Sequence, residues 1–335
     1  MKNEKKSILT DTFGREHNYL RISLTERCNL RCTYCMPAAG ITLSPKSHIM
    51  TYEEIYTIAK EFVANGVTKI RLTGGEPLVR KDAALIMEKL ATLPIELAIT
   101  TNGVLVDRFI ETFKKCGIKT VNISLDSLSA SKNKSITRRD YFTKVYNNIQ
   151  LLLKEGFEVK LNCVLMKGFN DNEIVDFIAL TKKQPLQIRF IEFMPFDGNK
   201  WNMEKLVSLE DILKQVYNRY DISDFIRLND KPNDTAKNYQ IKGYKGTFAI
   251  ISSVTNPFCD SCNRIRLTAN GHLKNCLFST TESDVLTPLR NGNPIAAVIK
   301  KAVLAKKNTR NGMDTLQKFK DPAFHNNRSM IAIGG

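Results

Sequence analysis

The chain has 335 residues, 42% of them apolar, which is enough for one large barrel-type domain or for two smaller ones. Its formal net charge of +16 favours a polyanionic partner such as a nucleotide, a nucleic acid or an acidic surface. No apolar run approaches the roughly 18 residues of a membrane helix, and eight cysteines in a chain this long do not form a disulfide scaffold. Residues 1–6 are polar and charged with no apolar stretch behind them, so we expect no secretory signal and a cytoplasmic protein.

Apolar, β-branched runs alternate with amphipathic segments over the first 193 residues. Strands are predicted, in chain order, over 19–24, 68–72, 95–100, 120–125, 158–165 and 186–193. Helices are predicted between them over 51–65, 81–92, 104–116, 141–155 and 171–183. Six strand–helix units in sequence argue for a parallel sheet, either partly closed into a (β/α)6 barrel or open and doubly wound. No G-x-G-x-x-G run opens the first unit, which weakens the dinucleotide-binding alternative.

The pattern changes after about residue 225. Residues 229–238 are polar and are predicted to form a linker or an exposed loop. Short strands are predicted over 239–243 and 247–253, and the last part of the chain is helical in places. We therefore predict two regions, 1–225 and 226–335.

The first predicted strand runs into a cysteine loop with the spacing C-x3-C-x2-C, made up of Cys28, Cys32 and Cys35. Three thiolates can hold three irons of a four-iron cluster and leave the fourth iron open to a ligand. The alternatives are a structural zinc site, which usually pairs a C-x2-C unit with a second pair of Cys or His, or thiols without metal. Spacing and metal chemistry together favour the cluster. Two other cysteines, Cys116 and Cys163, lie in apolar surroundings and are expected to be structural.

Polar residues stand at the carboxyl ends of later strands, the edge at which α/β sheets and barrels bind ligands. The Gly75-Glu76 pair, which follows another glycine, ends the second strand. Paired glycines let a ligand approach the backbone closely, and a carboxylate beside them can hold an ammonium group. Thr100, Ser124 and Met194 end the third, fourth and sixth strands.

A second trio with the spacing C-x2-C-x13-C consists of Cys259, Cys262 and Cys276. It suits zinc or a second iron–sulfur cluster, and His272 could complete a Cys3His zinc site. A second three-thiolate cluster would again leave one iron free for a ligand. Arg264 and Arg266 follow Cys262 closely, and arginine beside a cluster would suit a negatively charged substrate.

The first trio, with Tyr34 between its last two cysteines, resembles the C-x3-C-x-aromatic-C hallmark of the radical S-adenosylmethionine superfamily. In that superfamily the open iron binds S-adenosylmethionine, whose reductive cleavage releases a 5'-deoxyadenosyl radical. The Gly-Gly-Glu run resembles the motif that contacts the amino group of this cofactor. The resemblance implies cofactor contacts at Tyr34, Gly75, Glu76, Ser124 and Met194.

Longer stretches resemble one family within it, the GTP 3',8-cyclases or molybdenum cofactor biosynthesis protein A. The matching stretches are 11–15, 19–28, 69–78, 122–128, 188–194, the second cysteine trio and the terminal Gly334-Gly335. The resemblance implies an incomplete (β/α)6 TIM-like barrel, with a C-terminal extension that carries a second iron–sulfur cluster at the barrel mouth and ends in the Gly-Gly tail.

The resemblance also implies substrate contacts. Implied GTP contacts are Arg21, Lys69, Arg71, Thr100, Lys160, Arg264 and Arg266. Because the chain has no G-x4-G-K-S/T loop, scattered basic side chains from several strand ends must hold the triphosphate. Catalytic roles are implied for Arg264, Arg266, Gly334 and Gly335. For the two glycines the physical reason is that a tail without side chains can enter a narrow channel.

By resemblance, the chain is a lyase that converts GTP to 3',8-cyclo-7,8-dihydroguanosine 5'-triphosphate for molybdenum cofactor biosynthesis. Its implied cofactors are two 4Fe–4S clusters and S-adenosylmethionine. Its implied partners are an electron donor and a downstream pterin-forming enzyme, without nucleic acid or membrane, and a homodimer is left open. One alternative is a radical enzyme that modifies RNA or a peptide with an auxiliary cluster. Another is a zinc- and nucleic-acid-binding protein in which both trios are structural.

The sequence departs from the family pattern in three places. A Gly-Arg-Asp stretch appears as Arg138-Arg139-Asp140, His272 stands where Lys or Arg is more usual, and the tail is shorter than in many relatives. Neither cysteine trio is affected, so these departures bear on subsites rather than on the reaction.

Overall fold

The computed structural model describes residues 7–37, 39–321 and 327–334. Its strands are β1 (Tyr19–Ser23), β2 (Lys69–Thr73), β3 (Glu96–Thr101), β4 (Thr120–Ser124), β5 (Glu158–Leu165), β6 (Gln187–Glu192), β7 (Phe225–Arg227), β8 (Lys237–Ile241), β9 (Thr247–Ile251), β10 (Arg264–Leu267), β11 (His272–Lys274) and β12 (Ser283–Asp284). Its α-helices are α1 (Tyr52–Ala64), α2 (Ala83–Leu90), α3 (Ile110–Lys115), α4 (Ala130–Thr137), α5 (Phe142–Lys154), α6 (Ile174–Leu180), α7 (Leu209–Arg219), α8 (Leu286–Arg290), α9 (Ala296–Leu304), α10 (Leu316–Lys320) and α11 (Met330–Ile333).

The strands form one sheet in the order β12-β11-β10-β1-β2-β3-β4-β5-β6-β9-β8-β7. Strands β1 to β6 are parallel, and β10 and β9 extend the parallel pairing at the two sides. The outer strands β11, β12, β8 and β7 are antiparallel. The two ends of the sheet are not paired with each other in the part of the chain that the structure describes, so the predicted incomplete barrel is confirmed. Strands β9 and β10, which come from the second predicted region, join the same sheet as β1 to β6. The division of the chain into regions 1–225 and 226–335 stays a prediction.

The predicted strands and helices of the first 193 residues are all present, with bounds shifted by a few residues. Strands β8 and β9 confirm the two predicted after residue 225, although β8 begins inside the segment predicted as a loop. Helix α4 was not predicted, because its sequence ASKNKSIT has no apolar period. Its start is fixed by the Ser129 side chain, which accepts a hydrogen bond from the Lys132 amide.

The barrel strands alternate between an apolar outer face and a polar inner face. On β1, Leu20 and Ile22 pack in the apolar core with helix residues such as Ile55 and Phe62 of α1. Successive side chains of a strand point to opposite faces, so the residues at positions 19, 21 and 23 face the barrel interior. The same alternation holds on β2 and β10. The helices therefore bury the apolar side of the sheet and leave a polar interior.

Thr51 and Glu54 form a reciprocal capping box at the start of α1. The expectation for Cys116 and Cys163 is confirmed, since both are buried free thiols. Over the described ranges, the structure has no helix with the length and apolarity needed to cross a membrane.

Candidate active site

The first cysteine loop leaves the carboxyl end of β1 and is tied to the end of α4. The backbone amide of Arg31 donates to Thr137 O, and that of Thr33 donates to Ile136 O, both at 2.9 Å. Loop backbone that is paired in this way holds its side chains in fixed positions. The helix that the sequence analysis missed is therefore one of the elements that position the first trio.

Arg138 also holds this loop. Its backbone is left-handed, with φ of 54°, a conformation that glycine adopts at the least cost. Its guanidinium donates to Arg31 O at 2.9 Å and to Met36 O at 3.4 Å, two carbonyls on either side of the last two cysteines. Where the family pattern has glycine, this chain thus has a residue that secures the cysteine loop.

A cavity of about 180 Å³ opens beside the first trio. All three thiols line it, together with Tyr34, Gly75, Ser124 and Met194, which are four of the five predicted cofactor contacts. The Tyr34 hydroxyl donates to the Asp126 carboxylate at 2.8 Å, which fixes its ring. A Cβ on Gly75 would lie 2.4 Å from Arg27 O, so only glycine fits at this point of the wall.

Glu76, the fifth predicted cofactor contact, is directed into the protein. Its carboxylate accepts hydrogen bonds from Leu78 N at 3.0 Å, from Thr101 Oγ1 at 2.7 Å and from Asn102 N at 2.7 Å. Burial raises the pKa of Glu76 to about 7 in spite of these bonds. Glu76 therefore braces the Gly-Gly turn against the end of β3, and its contact with a cofactor stays a prediction.

The second trio lies along the open side of the barrel. Because β9 and β10 are both parallel to the central strands, residues 252–263 must return from the carboxyl end of β9 to the amino end of β10. Cys262 consequently lies near the amino end of β10, whereas the first trio follows the carboxyl end of β1. All three thiols of the second trio line a cavity of about 90 Å³, together with Arg264, Arg266, Lys274 and Arg310.

The two trios differ in their electrostatic surroundings. Burial raises the pKa of Cys28 to about 11 and that of Cys35 to about 12. Burial also acts to raise the pKa of Cys262, but the charges of Arg264 and Lys306 outweigh it and lower this pKa to about 6. The Sγ atom of Cys262 is 3.5 Å from Arg264 Nη2 and 3.3 Å from Lys306 Nζ. The positive charges of Arg264 and Lys306 thus favour the thiolate of Cys262, whereas burial raises the pKa of Cys259 in the same trio, as it does in the first trio.

The donor sets fit iron–sulfur clusters better than single metal ions. All six thiols are free and partly exposed. Among the described residues, no three His, Cys, Asp or Glu side chains are arranged to hold one metal ion, as a tetrahedral zinc site requires. Each trio instead lines a cavity, which suits a cluster that spans several irons.

His272 is not among the residues that line the cavity of the second trio. It pairs with Asp284 across the β11–β12 ladder, and its Nδ1 lies 3.0 Å from Asn270 O. The geometry therefore disfavours the Cys3His zinc alternative.

Polar side chains form three levels in the barrel interior, fixed by strand register. From the amino end, these levels are Arg264–Tyr19–Lys69, then Arg266–Arg21–Arg71, then Ser23–Thr73. Neighbouring strands are about 4.8 Å apart, so the three guanidinium groups of the middle level are neighbours. The predicted contacts Arg21, Arg71 and Arg266 thus lie inside the barrel, at mid-strand rather than at strand ends.

These cations crowd one another. Burial, and next the charge of Arg71, lower the pKa of Arg189 to about 10. Burial and nearby cations, among them Arg71, likewise lower the pKa of Arg21 to about 10. Lys160 has its pKa lowered by burial and then by Arg189 and Arg71. Lys69 is partly neutralised at the exposed margin, where its Nζ is 2.6 Å from Glu96. Buried like charges of this kind are relieved by an anion.

Several buried polar atoms of the interior have no hydrogen-bond partner among the described residues. They are Arg21 Nε, Thr100 Oγ1, Asn122 Oδ1, Asn162 Oδ1 and Arg189 Nε. Buried polar atoms are nearly always paired, so a group of unpaired ones indicates a ligand site. Of these residues, the sequence predicted Arg21 and Thr100 as site residues but not Asn122, Asn162 and Arg189. The signal that could have identified these three is a polar residue at an inward position of an otherwise apolar strand.

The C-terminal tail reaches the second and third of these levels, the one with the three arginines and the one with Ser23 and Thr73. Arg266 Nη1 donates to Gly334 O at 2.7 Å. Gly334 has φ of 84°, and a Cβ there would lie 2.8 Å from both Ser23 Cβ and Thr73 Oγ1. Only glycine can occupy this position. Gly335 lies outside the described residues.

Helix α11 anchors the tail. Ile331 and Ile333 are buried, and Ile331 packs against Gly75, with its Cγ1 3.0 Å from the position that a Cβ on Gly75 would take. Met330 lines the first cavity. The tail therefore lies between the first trio's cavity and the row of arginines.

Two family models match the chain. The radical SAM superfamily model matches residues 22–181, and the Molybdenum Cofactor Synthesis C model matches residues 186–312.

Curated relatives match nearly the whole chain. It is 46% identical, over 99% of its length, to "GTP 3',8-cyclase, mitochondrial" of Arabidopsis thaliana, of which it covers 85%. It is 40% identical, over 98% of its length, to "GTP 3',8-cyclase" of Moorella thermoacetica, of which it covers 100%. The "Molybdenum cofactor biosynthesis protein 1" of Dictyostelium discoideum is 45% identical, and the chain spans about half of it, 53%.

The structure of Streptococcus suis SuiB bound to S-adenosylmethionine has the same fold. It matches with a TM-score of 0.60 at 16% identity, covering 94% of this chain and 77% of that one. At this identity the likeness concerns the fold alone.

The roles of His272 and Cys276 can be separated by metal analysis. Because His272 contacts Asn270 and Asp284 rather than the cavity, His272→Ala should keep the iron content of the anaerobically reconstituted chain. Cys276→Ala removes a thiol that lines the cavity and should lower it. Iron, sulfide and zinc per chain are measured for both variants. Equal metal loss in the two, with zinc as the metal, would instead support a Cys3His site.

Proposed function

We propose that this chain, which belongs to the GTP 3',8-cyclase family of the radical S-adenosylmethionine superfamily, converts GTP to 3',8-cyclo-7,8-dihydroguanosine 5'-triphosphate. The observation that carries the proposal is the row Arg266–Arg21–Arg71, which crosses the neighbouring strands β10, β1 and β2 in the barrel interior. Such a row needs a polyanion, and a nucleoside triphosphate supplies one of suitable length.

The cofactors of this family are two 4Fe–4S clusters and S-adenosylmethionine. The first trio would hold one cluster, with S-adenosylmethionine in the adjoining cavity at Tyr34, Gly75, Ser124 and Met194. The second trio would hold the other. When bound, the first cluster and S-adenosylmethionine supply the radical that takes the ribose 3' hydrogen. The protein's contribution is to bind and orient the nucleotide, since the cofactor carries the difficult chemistry.

The interior cations would position the substrate. Arg21, Arg71 and Lys160 converge from three strands and can neutralise a triphosphate, which guanidinium groups bind in a bidentate manner. Arg264 lies against Cys262 and would fix the end of the nucleotide that faces the second trio. Thr100, whose hydroxyl has no partner among the described residues, supplies a neutral hydrogen bond.

Arg189 would join the group that binds the triphosphate. Burial and then the charge of Arg71 lower its pKa, and its Nε has no hydrogen-bond partner among the described residues. Asn122 and Asn162 offer unpaired amide oxygens to the same interior and would bind donor groups of the nucleotide.

The partners follow from the reaction. An electron donor must reduce the first cluster, and the product would pass to a pterin-forming enzyme of molybdenum cofactor biosynthesis. We place the reaction in the cytoplasm, and the proposal requires no homodimer. A radical enzyme acting on a peptide or RNA is less well supported, because relatives named as GTP cyclases match nearly the whole chain at 40 and 46% identity.

The central test is anaerobic incubation of the reconstituted chain with S-adenosylmethionine, a reductant and GTP. The unaltered chain should release 5'-deoxyadenosine and form the cyclic product. Cys32→Ala leaves two thiolates in the first trio and should abolish cleavage of S-adenosylmethionine, while the iron of the second trio survives. Cys116→Ala, a change at a buried thiol outside both trios, is the control and should behave as the unaltered chain. Normal 5'-deoxyadenosine release by Cys32→Ala would disprove the assignment of the first trio.

The arginines at the second trio can be tested by binding. Arg264→Ala and Arg266→Ala should each weaken GTP binding by about 1.5–3 kcal/mol, the range for hydrogen bonds to charged groups. Cleavage of S-adenosylmethionine without substrate should persist, because the first trio is untouched. Anaerobic titration with GTP at fixed salt measures the effect, and the exposed Arg108→Ala is the matched control. An affinity equal to that of the control in both variants would remove these arginines from the site.

The tail can be tested by truncation. Removing Gly334 and Gly335 should spare both clusters and GTP binding but lower cyclisation, because Gly334 lies between the first cavity and Arg266. The measurement is cyclic product formed per 5'-deoxyadenosine released. Gly334→Ala is a second variant, since a Cβ there would meet Ser23 and Thr73. If turnover and this ratio are unchanged on truncation, the tail has no part in the reaction.

A further inference from the structure

A turn over residues 11–15 matches the cyclase family in sequence but has no role in the chemistry described above. The Asp11 carboxylate closes it by accepting hydrogen bonds from Phe13 N at 2.9 Å and from Arg15 N at 3.0 Å. Its other oxygen accepts from Arg15 Nε at 2.6 Å. Both side chains are buried, with 0% of Asp11 and 7% of Arg15 exposed. The turn therefore presents one guanidinium in a fixed orientation.

The remaining donors of Arg15 bind two loops that are distant in sequence. Nη1 donates to Cys259 O at 2.8 Å and to Asn308 O at 2.7 Å, and Nη2 donates to Lys307 O at 3.0 Å. One of these carbonyls belongs to the first cysteine of the second trio. A planar fork of donors can join several carbonyls at once, which a lysine ammonium on a flexible stem does less well.

The other loop carries a buried lysine to the same trio. Lys306, 5% exposed, directs its Nζ to Cys262 Sγ at 3.3 Å and to Arg264 O at 2.9 Å. The residue next to it contributes one of the carbonyls that Arg15 holds. Hydrogen bonds to cluster sulfurs are among the features that set the reduction potential of an iron–sulfur cluster.

We propose that Arg15 and Lys306 are positioning residues of the second cluster. Arg15 fixes the Cys259 loop relative to residues 306–308, and Lys306 donates a hydrogen bond to the Cys262 sulfur. Neither residue is among those that line the cavity of the second trio. The inference rests on the proposed function in one respect, namely that the second trio binds an iron–sulfur cluster.

Arg15 is tested by cluster retention in the full chain with Cys28, Cys32 and Cys35 changed to alanine, which leaves only the second cluster. Arg15→Gln should lower the affinity for iron by about 10–100-fold, the usual cost of losing an outer partner of a metal site. The measurement is iron and sulfide per chain, with the rate of iron loss to a chelator. Arg290→Gln is the matched control, because Arg290 also joins a carboxylate, Glu54, to a backbone carbonyl but contacts no cysteine loop.

Lys306 is tested by the reduction potential in the same background. Lys306→Met should keep the iron but move the midpoint potential to a more negative value and alter the electron paramagnetic resonance spectrum of the reduced cluster. Removing a positive charge and a hydrogen bond from a ligand sulfur favours the oxidised state. Lys307→Met is the control, since that side chain is exposed and one residue away.

The outcomes distinguish this inference from the proposed function. Iron retention by Arg15→Gln equal to that of Arg290→Gln overturns the role of Arg15. A potential and spectrum of Lys306→Met equal to those of Lys307→Met overturn the role of Lys306. If circular dichroism shows that Arg15→Gln does not fold, the Lys306 measurement decides. Absence of iron from the second trio in the otherwise unaltered background overturns the second cluster itself and, with it, the proposed function.

Discussion

The register of the parallel strands forces like charges together inside the barrel. Arg21 pairs with Arg71 on one side and with Arg266 on the other, so backbone hydrogen bonding brings the three guanidinium groups together. Internal acceptors stabilise them only in part: Arg71 donates to Tyr19 Oη at 2.5 Å and to Ile99 O at 3.1 Å. The interior is therefore complementary to a compact anion before any ligand binds, which is the preorganisation that favours binding in a productive orientation.

The two cysteine trios occupy environments that suit different tasks. Around the first trio, burial and nearby acidic groups such as Asp126 disfavour added negative charge. Around the second trio, Arg264 and Lys306 supply positive charge to Cys262. Acidic surroundings suit a cluster that exchanges electrons with a cationic cofactor, as proposed for the first trio. Positive charge suits a cluster that faces an anionic nucleotide, as proposed for the second trio. Arg264, which contacts Cys262, lies on the same strand as Arg266, the first arginine of the row Arg266–Arg21–Arg71.

Segments distant in sequence position both trios. Helix α4 and Arg138 hold the first cysteine loop, and the turn at Asp11 and Arg15 holds the second. The tail at Gly334 returns between them to meet Arg266. Cysteine loops have little regular structure of their own, so their rigidity comes from backbone carbonyls and amides paired with such partners.

The sequence by itself determined the alternation of strands and helices and the two cysteine trios, since hydrophobic period and cysteine spacing are local signals. It also identified most of the basic residues that lie in the barrel interior. It also indicated, through resemblance, that Gly334 enters the site. Only the tertiary structure decided that Arg21, Arg71 and Arg266 form one row, that Glu76 braces a turn, and that His272 lies outside the lining of the second trio's cavity. Strand register, side-chain direction and loop contacts depend on residues far apart in the chain. The inward position of Arg189 on an apolar strand is a local signal, but only the packed strands bring it close to Arg71. No local pattern could reveal Arg15 as a partner of Cys259.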